Sequence, residues 1–246
     1  SLAAFGIPRR LTMTPTDTVG GTGGWRERYP SLPYVAPFAA YVLLLPLQSQ
    51  LPALAGRWES ALRIAAAGCV LSLVSRTVLN FRVRRWGGSL GLGAAVFLVW
   101  IGPDFLFPYR NHWLFQNPLT GAFGSSLPEN LRSDPSYLAL RVLRSAVLVP
   151  VIEELFWRAW LMRWLISPRF RTIALGSWTR QSFWLTAVMF AAEHGPQWEV
   201  GLLAGIAYNW WMIRTRSLGD CILAHAVTNA CLAAFVVLAG RWEYWY

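Results

Sequence analysis

The chain has 246 residues, of which 55% are hydrophobic and 15% aromatic, and its mean hydropathy is +0.37. Charged residues make up only 14%, against roughly 25% in soluble domains, which excludes an ordinary soluble class and points to a polytopic membrane protein. The net charge of +10 is carried by arginine alone and lies in short segments between apolar runs, a positive-inside pattern rather than a nucleic-acid surface, so no nucleic-acid partner is expected.

In chain order, residues 1–30 are rich in Gly, Pro and Thr and carry Arg9, Arg10, Arg26 and Arg28. They read as a loosely ordered basic cytoplasmic tail lying on anionic lipid, with no cleavable signal peptide. Residues 31–246 read as one transmembrane domain of about seven spans (six to eight), an all-α helix bundle. The first span is predicted at 34–54, with Pro46 inside it, and the second at 61–81. After the arginine cluster Arg82, Arg84 and Arg85 comes a third at 88–107, whose glycines allow another helix to approach closely. The polar connection 108–135 is long enough to be functional or a partner surface. Further spans are predicted at 140–165, 182–196, 199–213 and 219–239, followed by the aromatic tail RWEYWY. With the N-terminus inside, inner segments collect most arginines, while outer ones hold mainly Arg57, Arg63, Arg110, Arg132 and Arg241. Cys69, Cys221 and Cys231 lie inside predicted spans without CxxC spacing and read as small buried apolar residues.

The stretch Ser145–Trp164, SAVLVPVIEELFWRAWLMRW, is apolar over a membrane-spanning length yet holds two carboxylates and an arginine. A charge at mid-membrane costs about 2.5–3.5 kcal/mol on insertion scales. Glu154 and Arg158 stand four apart on one helical face, so they can pair. Glu153 is rotated by roughly 100° and has no built-in partner, which leaves it available for chemistry. Pro150, three residues earlier, should loosen the helix and free a carbonyl.

Two further pairs four apart occur in predicted spans: Phe190 with His194 in FAAEH, and His225 with Asn229 in HAVTN. Taken singly, each has a bland reading as an interhelical hydrogen-bonding group. Together they make a polar pocket from three helices that would be costly to bury without function. Hydrolysis inside the membrane fits it: Glu153 with a histidine deprotonates a water, and a second histidine with an asparagine amide donates to an oxyanion. No serine or cysteine nucleophile is well placed, Ser145 and Cys221 being the nearest. A zinc ion held by Glu153, His194 and His225 is the alternative, without any metal signature; no cofactor is expected.

EELFWR, FAAEH and HAVTN resemble, in order, the EExxxR, FxxxH and HxxxN motifs of the CAAX-protease and bacteriocin-processing family of intramembrane glutamic endopeptidases. The segment GLLAGIAYNWWMIRTRSLGDCILAHAVTN resembles that family's final helical pair, which sets the motif core at 136–240. VPVIEELFWRAWLMRW, the EH dipeptide and the RWEYW tail look most like the bacterial branch associated with exosortase systems. The resemblance implies that Glu153 is the base, helped by His194 in holding the water. It implies that Glu154 and Arg158 orient the centre and that His225 and Asn229 form the oxyanion hole. It also implies a multi-pass protein of the bacterial inner membrane that meets membrane lipids and cleaves a membrane protein or lipidated peptide. A non-catalytic scaffold, as a subunit of a membrane complex, is the competing reading. Arg216, in RTRSLGD, departs from the small residue the family often has before the last helix.

Overall fold

The computed structural model describes residues 24–44, 57–125 and 127–245. Among these the chain is helical, with one isolated β-bridge between Asn117 and Gly121. The helices are α1 (Leu32–Leu43), α2 (Arg57–Val70), α3 (Trp86–Leu106), α4 (Pro135–Leu143), α5 (Val149–Phe156), α6 (Arg180–Ala192), α7 (Trp198–Thr215) and α8 (Leu218–Ala239). This is an all-α membrane bundle with a helix at each of the seven predicted positions. Trp58–Ser75, Trp86–Leu106 and Leu218–Ala239 are by themselves long and apolar enough to cross a membrane. Arg9, Arg10 and Pro46 of the expected tail and first span lie outside the described residues. Within the expected tail, Trp25–Arg28 forms a single helical turn.

The second span begins earlier than its hydropathy suggested, because Glu59 and Arg63 are four apart and pair inside the helix. Arg63 is therefore a buried helical residue rather than a loop arginine. Cys69 on the same helix is exposed, not buried, while Cys221 is buried and Cys231 half-buried; all three are free thiols.

α8 is the central element, packing on α3, on α5 and on the turn that precedes α5. Its contact with α3 requires Gly93: a Cβ there would lie 2.4 Å from the Ala224 carbonyl oxygen and 2.7 Å from Val227 Cβ. α6 packs against α7, and α1 bridges α2 and α5. α7 ends at Arg216, whose φ of 51° puts a non-glycine residue in the left-handed region that usually takes glycine at a helix C-terminus. This gives the departure at Arg216 a physical meaning: it caps α7.

Asp220, fully buried in the first turn of α8, locks the segment that leads into α3. It accepts from the backbone N–H of Arg84 (2.9 Å) and Arg85 (2.7 Å) and from the Ser89 hydroxyl (3.1 Å). A charged acceptor with three donors is worth more than a neutral one. Asp220→Asn turns part of this acceptor into a donor facing N–H groups, so a stability loss of about 2–3 kcal/mol is expected, read as a lowered unfolding midpoint of the purified protein.

Candidate active site

α4 and α5 belong to one continuous helical rod that is interrupted twice by π-turns, Arg144–Leu148 and Trp157–Leu161. The first has a visible cause in Pro150, which brings no N–H to the ladder. The Val149 N–H reaches back five residues to the Arg144 carbonyl, so the Ser145 carbonyl is left without a backbone donor. Asn229 fills that place, its Nδ2 donating to the Ser145 oxygen at 2.8 Å. The two wide turns flank α5, which carries the paired glutamates; π-turns of this kind recur at functional sites.

Glu154 and Arg158 are both completely buried and pair at 3.0 Å. The guanidinium also donates to Asn209 Oδ1 (3.2 Å) and to the Gly205 carbonyl (3.5 Å), and lies 4.3 Å from the Phe190 ring centre. Asn209 in turn donates to the Phe183 carbonyl at 2.9 Å, which ties α7 to α6. The same Glu154 oxygen that meets Arg158 lies 2.9 Å from His225 Nδ1. A carboxylate only accepts, so His225 bears a proton on Nδ1 toward Glu154 and turns Nε2 away from it. Tyr208 stacks on the His225 ring (5.0 Å, 22°), and its hydroxyl donates to Thr228, whose own hydroxyl donates to the Gly93 carbonyl. The ring is thus held at Nδ1 by Glu154 and on one face by Tyr208.

His194 is set by α6 itself, its Nδ1 lying 2.7 Å from the Phe190 carbonyl. The carbonyl accepts, which makes Nδ1 the protonated nitrogen and Nε2 an acceptor. Gly201 on α7 makes room for the ring: a Cβ there would sit 3.1 Å from three atoms of His194.

Glu153, Glu193, His194, His225 and Asn229 all line one cavity of about 730 Å³. Glu154 and Arg158 stand behind its wall rather than in it. The structure therefore brings together the residues expected from α5, α6 and α8, with the two expected supports one layer back. No group of three or more His, Cys, Asp or Glu side chains among the described residues is arranged to hold a metal ion. Ser145 donates to the Val142 carbonyl, and Cys221 is fully buried against the Tyr208 carbonyl.

Glu193 was missed in the sequence beyond its place in an EH dipeptide. Its carboxyl group lies within hydrogen-bond reach of that of Glu153 and accepts from the Trp157 indole N–H at 3.0 Å. Trp157 is four residues from Glu153, so α5 and the π-turn after it place both the first carboxyl and the donor that steers the second. Tyr208 and Asn209 were also missed as site residues, although they lie in the segment that resembles the family's final helical pair.

The 108–135 connection is docked rather than free. Arg110, buried, bridges Asp104 (2.5 Å) and Glu199 (2.7 Å), and the Tyr109 hydroxyl donates to Glu199 at 2.8 Å. Burial, and then the hydrogen bond to the Glu199 carboxylate, push the Tyr109 phenol well above its ordinary range. Tyr244 of the aromatic tail donates to Asp104 at 2.7 Å and, with Trp245, lines the cavity.

No curated protein and no solved structure matches the chain. Residues 135–231, which hold both glutamates of α5, Arg158, Glu193, both cavity histidines and Asn229, match the family described as Rce1-like, type II CAAX prenyl endopeptidase, and that match supports placing the site-bearing part of the chain with the CAAX-type membrane proteases.

Proposed function

We propose that the protein is an intramembrane endopeptidase of the glutamic type, which hydrolyses a peptide bond of a membrane-embedded or lipid-anchored substrate with a water activated by Glu153. The observation that carries this reading is the convergence of Glu153, His194, His225 and Asn229, from three helices, on one cavity. Glu153 takes a proton from water whose second hydrogen is accepted by His194 Nε2. The water oxygen then bonds to the substrate carbonyl carbon, and the negative charge passes to the carbonyl oxygen. His225, donating from Nε2 while its Nδ1–H faces the Glu154 carboxylate, and the second N–H of Asn229 hold that oxyanion. Collapse breaks the C–N bond, and the proton taken by Glu153 goes to the leaving amine. Glu193, beside Glu153, is a second carboxyl through which that proton passes.

The sequence details around EELFWR, the EH dipeptide and the RWEYW tail favour the exosortase-associated bacterial branch and with it an inner-membrane location, and the arginine asymmetry favours an N-terminus inside. The test is comparative proteomics of cell membranes holding wild type or Glu153→Gln: one protein should accumulate uncleaved with the variant. Identical membrane proteomes would overturn the proposal. Once a substrate is found, Glu193→Gln should lower kcat by about 10- to 100-fold, less than the loss of the base itself, with the unfolding midpoint unchanged. A wild-type kcat would remove Glu193 from the proton path.

A further inference from the structure

Arg141 is a guanidinium that the reaction scheme does not use and that no carboxylate among the described residues neutralises. It is 8% exposed and lines the same cavity as Glu153. Its contacts are the Tyr137 hydroxyl at 3.1 Å and the face of the Trp245 ring at 5.0 Å. Neither carries a charge, and among the described residues it has no carboxylate partner. Arg144, one turn further on and also in the cavity wall, shares Glu59 with Arg63. A buried charge without a carboxylate among the described residues is costly, and beside a reaction centre it leaves room for an anion to complete it.

We infer that Arg141, supported by Arg144, forms a subsite for a carboxylate of the substrate, an inference that rests on the peptide-hydrolase reading of Glu153. The spacing sets where that carboxylate lies. Arg141 precedes Glu153 by twelve residues of one helical rod, about 18 Å along its axis. An extended peptide covers that distance in about five residues. In an uninterrupted α-helix the two positions would be about 120° apart around the axis. The π-turn between them turns less per residue and narrows that angle, so both face one cavity. The guanidinium offers a planar pair of donors matched to a carboxylate. That group is either the free end of the substrate chain or an Asp or Glu side chain.

The test is binding, so that its result does not depend on turnover. The full chain carrying Glu153→Gln is placed in phosphatidylcholine nanodiscs and titrated with a palmitoylated, fluorophore-labelled heptapeptide, read by anisotropy. Three forms are compared: a free C-terminal carboxylate, a C-terminal amide, and the amide with Glu as its last residue. The free acid is expected to bind about tenfold more tightly than the amide. Arg141→Gln should erase that difference while leaving amide binding unchanged, and Arg141→Lys should keep part of it. Tight binding of the Glu-ended amide assigns the subsite to a side-chain acid, and weak binding assigns it to the chain terminus. Equal affinities for acid and amide would overturn the inference. So would a preference that survives both Arg141 substitutions, or one that appears only when anionic lipid is added. A carboxylate preference in a protein whose Glu153→Gln variant leaves membrane proteomes unchanged would keep the subsite and remove the hydrolase.

Discussion

Glu153→Gln is expected to lower proteolysis of a confirmed substrate by at least 10²- to 10⁴-fold, the usual contribution of a positioned general base, while the protein keeps its unfolding midpoint in detergent. Glutamine has the size of glutamate but cannot take a proton from water. Glu153 is also the one of the paired acids that opens to the cavity, and its Oε2 has no hydrogen-bond partner among the described residues. Its loss should therefore fall on kcat and spare the fold. Assays in nanodiscs with wild type and variant side by side check this, and retained wild-type turnover would defeat the role.

The opposite pattern is expected one layer back. Arg158→Met removes the guanidinium that holds Glu154, Asn209 and the Gly205 carbonyl together, all without solvent. What remains is a buried carboxylate whose other contact is His225. Removing one partner of a buried pair costs about 3–5 kcal/mol, mostly from the charge left behind. The variant should lose stability by that amount, measured by denaturant unfolding of the purified protein. Because replacing a whole buried pair with apolar groups is often neutral, Glu154→Gln together with Arg158→Met should recover much of the loss. It should still fail in catalysis, since the carboxylate that faces His225 Nδ1 and offsets charge there is gone. Unchanged stability of Arg158→Met would mean that Glu154 is held by other groups.

These two outcomes also mark how far the sequence could be read. The Glu154–Arg158 pair was legible because residues four apart on a helix meet whatever surrounds them. The same rule raised Phe190 with His194 and His225 with Asn229; within the first, the histidine ring hydrogen-bonds the backbone carbonyl of its partner as well as meeting its ring at 4.7 Å. Asn229 was legible as a site residue, but its grip on the Ser145 carbonyl was not. That bond exists only because Pro150 converts one turn into a π-turn, and a sequence shows that a proline loosens a helix without showing where the freed carbonyl goes. Glu193 was hidden for a different reason: as a lone acid at a helix end it resembles any solvated residue, until α6 is laid against α5. Arg110 reads only as an outer-segment arginine because its partners Asp104 and Glu199 come from separate helices, and only the packed bundle brings them to it.

The claim at the centre is that water, rather than a side chain of the protein, attacks the peptide bond. The direct measurement is mass spectrometry of the wild-type protein and its products, quenched during turnover in water enriched in ¹⁸O. The account expects one heavy oxygen in each newly formed carboxylate and no acyl adduct on any residue of the protein. A substrate-derived acyl group bound to the chain, on Ser145, Cys221 or either α5 glutamate, would contradict it.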